Sequence, residues 1–365
     1  MNIMFSLFKS STHAEGSSSV GIDIGTTTIK AAELSGNGRG SYTLSNYALL
    51  EVAGHLDHFN NALQSSSLRP LDSDLISYLT MIRTKAGFKT NHIVASLPSF
   101  TAFTTVLEVP LMSAGETDKS LSAQARDYIP IPISEVTIDW IKIGEKTYPD
   151  GSKKQQIFLV SIPNEKIESY AAMFGKAGFI MDGFEVEHIS VARAVTSGNK
   201  QPMLIIDIGG RSTTFTVAKN GISLFAGQTD FSSGSLTQAL ATALNINPRR
   251  ADTLKRQTPI VGGGGSHELS TIMVPIIDVI LNEATRTRTG FETAFNEKIA
   301  GVILAGSGAN MPGFDQYLTS QLNLPVTVAD PLSSIGYPPE IATFSKQLGS
   351  TLTVAIGLAL KKLNK

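Results

Sequence analysis

The chain has 365 residues, 42% of them apolar and 17% charged, with 30 basic against 31 acidic side chains. At ~150 residues per domain, this length predicts two or three domains, each with a core of its own, and the low charge excludes a wholly disordered chain. A net charge of −1 gives no overall attraction to nucleic acid or anionic lipid, and the absence of cysteine excludes disulfides, iron–sulfur clusters, thiol nucleophiles and cysteine zinc sites.

No stretch reaches the ~18 apolar residues of a membrane span. Residues 271–281 contain Pro275 and Asp278, and residues 352–360 soon meet Lys361 and Lys362. Residues 1–8 are apolar but short and lack a preceding basic region, so a frayed end is expected rather than a secretory signal. Small polar residues follow, and a flexible arm is expected over residues 1–19.

Order is expected from Val20. Residues 20–23 read as a short apolar strand, Gly25-Thr26-Thr27-Thr28 as a turn, 29–34 as the returning strand and 42–50 as a further one. Leu75, Ile76, Leu79 and Ile82 then recur at helical spacing, with Asp72 or Ser73 as cap and Gly87 as stop. Strands follow at 93–97 and 102–109. A helix over 116–128 is ended by Ile129-Pro130-Ile131-Pro132, and strands at 136–143 and 156–162 are joined through Pro149-Asp150-Gly151. Residues 99–155 thus read as a small inserted subdomain. A helix over 164–177, a strand over 179–187 and a helix over 188–197 come next. The second half opens with strand–turn–strand over 204–217 and a strand over 222–227. Helices over 235–244, 248–256 and 268–296 follow, with a flexible glycine tip at 262–265. A buried-type strand at 299–304, a helix at 312–322, a strand at 326–329 and a helix from about 340 to 361 complete the chain. This alternation predicts α/β architecture with largely buried sheets.

One internal repeat is informative. Gly21-Ile22-Asp23-Ile24-Gly25-Thr26-Thr27-Thr28 resembles Ile205-Ile206-Asp207-Ile208-Gly209-Gly210-Arg211-Ser212-Thr213, with the two aspartates 184 residues apart. Each copy has an apolar strand, an acid, a glycine turn with hydroxyls and a second strand. Glycine in such a turn lets backbone N–H groups approach phosphate oxygens with no Cβ in the way. Hydroxyls at Thr26, Thr27, Ser212 and Thr213 add donors. An aspartate beside the turn repels phosphate unless a divalent cation lies between them. Two facing hairpins can therefore cradle one Mg-polyphosphate, with Asp23 and Asp207 holding the metal through its waters. A third glycine patch, Gly306-Ser307-Gly308, follows a buried-type strand and leaves room for a flat ring.

This pattern resembles the actin-like ATPase superfamily. Residues 20–30 resemble its first phosphate loop, 204–214 its second and 303–312 its adenosine motif; Phe184-Glu185-Val186-Glu187-His188 through Ala194, and residues 353–360, resemble its two connecting segments. Within the superfamily the sequence is most similar to the PilM family of type IV pilus assembly, related to the FtsA division proteins. That likeness rests on the first loop through Lys30, on Ala125-Arg126-Asp127-Tyr128-Ile129-Pro130-Ile131-Pro132, and on Ala355-Ile356-Gly357-Leu358-Ala359-Leu360. FtsA-like chains continue into an amphipathic membrane-targeting helix, whereas this sequence is expected to end without one, which favours PilM. The resemblance implies two RNase H-like lobes, an inserted α+β subdomain in lobe 1 and a smaller subdomain in lobe 2. Lobe 1 would comprise residues 20–98 and 156–200 around the insertion at 99–155. Lobe 2 would be 201–340, with 247–298 as its smaller part, and 341–365 would return to lobe 1.

The resemblance also implies site residues. Gly25, Thr26 and Thr27 would bind phosphates, and Lys30 is either a phosphate contact or a solvated strand-end lysine. Gly209, Gly210, Ser212 and Thr213 match the second loop, and Gly234 the turn over the phosphates. Gly306, Ser307 and Asn310 match the adenine turn, and Asp252 and Lys255 the helix that holds ribose and purine. Glu187, with Asp207 second, matches the carboxylate near the attacking water. Arg211 departs from the small residue usual after the glycines, and either stabilises transition-state charge or crowds the site. ATP and Mg2+ are the implied cofactors, with nucleotide binding better supported than turnover. The implied partner is the cytoplasmic N-terminal tail of a PilN-like membrane protein, which would hold the chain at the inner face of the cytoplasmic membrane. Self-association stays open and no nucleic acid is expected. The rival readings are an FtsA-like division protein and a small-molecule kinase, although no acid stands out as the base a kinase needs.

Overall fold

The computed structural model describes residues 18–36, 40–52, 72–260 and 266–363. Most of the expected arm and the glycine tip at 262–265 lie outside the described residues. The first part runs β1 (Ser18–Ile24), β2 (Thr28–Gly36), β3 (Tyr42–Glu51), α1 (Asp72–Lys85) and β4 (His92–Leu97). An insertion follows: β5 (Phe103–Pro110), α2 (Ala114–Gln124), β6 (Val136–Thr147) and β7 (Lys153–Pro163). The chain returns through α3 (Asn164–Lys176), β8 (Ile180–Val186) and α4 (Glu187–Thr196). The second half is β9 (Met203–Ile208), β10 (Thr213–Lys219), β11 (Ile222–Thr229), α5 (Ser233–Leu244), α6 (Pro248–Gln257), α7 (Ser266–Phe295), β12 (Gly301–Ala305), α8 (Phe314–Leu322), β13 (Val326–Val328) and α9 (Ser345–Leu363).

The two halves build the same sheet twice. Lobe 1 orders its strands β3-β2-β1-β4-β8 and lobe 2 orders them β11-β10-β9-β12-β13, with antiparallel hairpins on one side and parallel strands on the other. Even the register repeats: Asp23 pairs with Lys30, and Asp207 pairs with Thr214. Strands β1, β9 and β12 are buried almost throughout because helices cover both faces of each sheet.

Helices α4 and α9 form a layer between the lobes. Helix α9 packs on β1, β2 and β4, while α4 packs on β9, β10 and β11. A core of Val94, Val191, Ile205, Ile303, Val354 and Leu358 joins both sheets through them. The contact is close enough to demand glycine: a Cβ on Gly21 would collide with the Ala355 carbonyl oxygen, and one on Gly357 with that of Ser190. Beside this crossing Glu185, fully buried, accepts from Arg193 Nη2 at 2.7 Å and Ser190 Oγ at 2.6 Å, with Lys361 Nζ 3.6 Å away. Burial alone would raise the Glu185 carboxyl, but Arg193 and Lys361 outweigh it and hold it below the usual range.

The insertion forms its own antiparallel sheet, β5-β7-β6, over a small core of Leu107, Val109, Leu121, Ile157 and Leu159. Its middle strand β7 runs from residue 153 to 163, so the expected boundary at 155/156 falls within a strand. Residues 247–298 share one continuous core with the lobe 2 sheet, through Ala251, Ile277, Ile280 and Phe291. Two helices differ from expectation by more than two residues at an end. Helix α2 starts at Ala114, because Ser113 and Glu116 close a reciprocal capping box, and stops at Gln124, ahead of Ile129-Pro130, where helical backbone is disfavoured. The last helix starts at Ser345, after a 3₁₀ turn over Pro339–Phe344.

Candidate functional site

The repeated hairpins place their turns face to face. Gly25 N donates to Thr28 O at 3.2 Å, and Gly209 N donates to Ser212 O at 3.0 Å, so both turns close in the same way. A Cβ on Gly210 would stand 2.6 Å from Thr27 Cγ2, so the turns meet across the gap. The cleft beside them is lined by Asp23, Gly25, Thr26, Thr27, Lys30, Glu187, Asp207, Gly209, Gly210, Ser212, Gly306 and Ser307. Gly306 has φ +80°, which favours glycine, and a Cβ there would collide with the Asp207 carboxylate. Twelve of the residues singled out from sequence are thereby brought to one place.

The electrostatics of the two hairpins differ. Lys30 Nζ donates to Asp23 Oδ2 at 3.0 Å, and Ser96 Oγ donates to Asp23 Oδ1 at 2.8 Å. Burial would lower the Lys30 ammonium, but Asp23, Asp207 and Glu187 together hold it above its usual value. Lys30 is therefore not the solvated lysine of the alternative reading. The Asp207 carboxylate has no hydrogen-bond partner among the described residues. Burial, with Asp23 nearby, pushes its carboxyl up to about 6 even though Lys30 pulls the other way. Glu187 accepts from Ser99 N at 3.1 Å, and burial together with Asp23 and Asp207 pushes its carboxyl up to about 8. Behind it His188 is buried and held neutral, its pKa lowered by burial to about 4.

Five expected residues are not among those lining the cleft and have partners within the chain. Thr213 Oγ1 donates to Phe231 O at 2.8 Å, so its hydroxyl is turned away from the cleft. Gly234 N donates to Gly210 O at 3.2 Å and Ser233 N to Gly209 O at 3.0 Å, so the start of α5 buttresses the second turn. Asn310 Nδ2 donates to Ser350 Oγ at 2.9 Å. Lys255, 3% exposed, has three protons for four oxygens: Ser233 O, Ser233 Oγ, Thr237 Oγ1 and Asp252 Oδ1 lie within 2.7–3.1 Å. Asp252 is held in turn by Arg256 Nε at 2.6 Å. Neither Asp252 nor Lys255 lines the cleft, and the pair braces α6 against α5.

Sequence reasoning missed other lining residues. Thr214 stands at the register position of Lys30, and applying the repeat offset to Lys30 points to it. Ser350, Thr351 and Thr353 bring hydroxyls from α9, and Phe100 and Tyr170 bring rings, with no local signal in the chain.

The donor set suits a polyphosphate with a divalent cation. Glycine turns approach from both sides, hydroxyls and one lysine face inward, and burial disfavours the charged forms of Asp207 and Glu187. Among the described residues no group of three or more His, Asp or Glu side chains is placed to hold a metal by itself. A cation here would share its coordination with water and phosphate oxygens, as magnesium does.

A family model described as type IV pilus assembly protein PilM matches residues 21–363, nearly the whole chain. The chain belongs to the PilM family. A structure titled PilM–PilN type IV pilus biogenesis complex superposes with a TM-score of 0.79 at 20% identity, covering 95% of this chain and 99% of the other. MreB5 of Spiroplasma citri bound to AMPPNP gives 0.57 at 12% identity, with 95% of each chain covered. The ethanolamine utilization protein EutJ from Carboxydothermus hydrogenoformans gives 0.53 at 14% identity, covering 96% of this chain and 92% of the other. The fold is thus actin-like, as the resemblance implied, and PilM membership does not favour the division-protein or kinase readings. Among the described residues of this PilM-family chain, no helix is long and apolar enough to cross a membrane.

Proposed function

We propose that this chain binds ATP with Mg2+ between its lobes, and that the nucleotide sets the shape of a pilus-assembly scaffold that docks the cytoplasmic N-terminal tail of a PilN-like inner-membrane protein. That partner would hold it at the inner face of the cytoplasmic membrane. The observation that carries the nucleotide reading is the pair of mirrored turns touching at Thr27 and Gly210, with Lys30 between their two aspartates. Gly25, Thr26, Thr27, Lys30, Gly209, Gly210 and Ser212 would hold phosphates. Gly306 and Ser307 would flank the base, and Asp23 and Asp207 would hold the cation through water. Bound magnesium would neutralise phosphate charge. The lobes would follow the expected limits, 20–98 and 201–340, except that the insertion ends with β7 at Pro163 rather than at residue 155. The neighbouring structures support this reading, one bound to AMPPNP and one titled as a complex with PilN.

Hydrolysis would need a water oriented in line with the terminal phosphate and relieved of a proton. Glu187 lines the cleft beside Asp23 and Asp207 and would orient that water; in the empty cleft its carboxyl is raised by burial and by those two acids.

Isothermal titration with Mg-ATP tests the cleft. The wild-type chain is expected to bind, and Lys30→Met and Ser307→Trp to weaken binding at least ~10-fold with far-UV circular dichroism unchanged. Unchanged affinity in both variants would refute the site. In the same preparation a labelled PilN-like N-terminal peptide is expected to bind, and its failure to do so at any nucleotide state would refute the docking role.

A further inference from the structure

Arg211 occupies in the second turn the place that Thr27 holds in the first. Its guanidinium lies over the Phe100 ring, 4.6 Å from the centroid, and both side chains line the cleft. Among the described residues it has no hydrogen bond and no carboxylate partner, although Asp207 and Glu187 line the same cleft. A cationic fork on a phosphate-type turn is thus held only by a ring that is itself 43% exposed.

Phe100 belongs to neither lobe's sheet. It sits in a 3₁₀ turn, Ser99–Thr101, at the root of the insertion, and β5 starts two residues later. The turn is pinned to the cleft on its other side, where Ser99 N donates to Glu187 Oε2 at 3.1 Å. The insertion also reaches lobe 2 directly. Strands β5 and β7 lie against β11, and Ile143 of β6 packs on the lobe 2 core. A change at Phe100 therefore acts on a sheet that spans both lobes.

We infer that Arg211 reads the terminal phosphate of a nucleoside triphosphate, and that its transfer between Phe100 and that phosphate signals the cleft's occupancy to the insertion. This rests on the nucleotide reading given above. A cation over a half-exposed ring is a weak contact. A guanidinium on a phosphate makes two parallel charge-assisted hydrogen bonds, shorter and stronger than neutral ones. Arg211 leaves Phe100 when an anion comes within reach. A diphosphate ends one phosphate earlier, so the ring keeps the guanidinium.

The chain carries its own reporter. Its single tryptophan, Trp140, lies on β6 of the insertion, with Nε1 donating to Asp118 Oδ1 at 2.6 Å. The experiment measures affinity for Mg-ATP and Mg-ADP by titration calorimetry, together with Trp140 emission, in wild type, Arg211→Ala, Arg211→Lys and Phe100→Leu. Arg211→Ala is expected to weaken ATP by ~10-fold and ADP by less than ~2-fold. Arg211→Lys keeps the charge without the planar fork and falls between. Phe100→Leu keeps the apolar contact but frees the guanidinium, so ATP binds ~2–5-fold tighter and the ATP-dependent change in Trp140 emission disappears. An ATP-to-ADP ratio unaltered in Arg211→Ala overturns the inference alone, as does a wild-type Trp140 response in Phe100→Leu. Binding of neither nucleotide by wild type overturns both this inference and the reading beneath it.

Discussion

The first and second hairpins share strand order, register and turn closure, yet they carry opposite charge logic. In the first, Asp23 is matched by Lys30 across the strand pair and by Ser96 from β4. In the second, the position facing Asp207 is Thr214, and the cation has moved to the turn, where Arg211 rests on Phe100. One half of the cleft is complete in the folded chain. The other holds an acid raised to about 6 and an arginine with only a ring for company, so it is completed from outside. On the nucleotide reading proposed above, the duplicated scaffold would supply one jaw paired within the chain and one that the ligand completes.

Three substitutions sharpen that contrast. The largest effect is expected where the jaws meet the central helices. Gly21 and Ile205 are equivalent in the repeat, but α9 crosses only Gly21 at backbone contact. Gly21→Val should cost about 3 kcal/mol in urea unfolding and Ile205→Val only about 1 kcal/mol, the former from overpacking and the latter from a lost methylene. Equal costs would show that the helix layer treats the lobes alike. Next comes Asp23→Ala, which strands Lys30 in a largely buried site. Because Asp207 and Glu187 still face that lysine, about 2 kcal/mol is expected, below the usual cost of breaking a buried pair. The mirror substitution has the opposite sign. The folded state favours the protonated form of Asp207, from the usual 3.8 to about 6, so native stability falls as pH rises through that window. Asp207→Asn should add about 1–2 kcal/mol at pH 8, a gain that fades from pH 6 and is gone below pH 4. A loss at pH 8 would mean that Asp207 has a structural partner.

Much of this was legible in the chain because it is local. Strand, acid and glycine turn are consecutive residues, their repetition is a comparison of letters, and the cleft gathers most of the residues it pointed to. What escaped is non-local. Ser96 and the α9 hydroxyls come from elements far along the chain. Thr213 and Thr214 are neighbours whose faces alternate, so the hydroxyl next to the turn points inward to Phe231 and the following one lines the cleft. Asp252 and Lys255 carry the composition of a ligand-holding helix, but α5 lies close enough to take the lysine's protons.

By itself, then, the sequence determined the duplicated strand–turn–strand plan, the alternating architecture and the family, since these depend on period, turn chemistry and order along the chain. Only the tertiary structure decided which acid is neutralised, which threonine faces the cleft and where Arg211 lies. Those outcomes depend on distances and burial between segments that local sequence does not encode, and on helices that pack so closely that only glycine fits at Gly21 and Gly357.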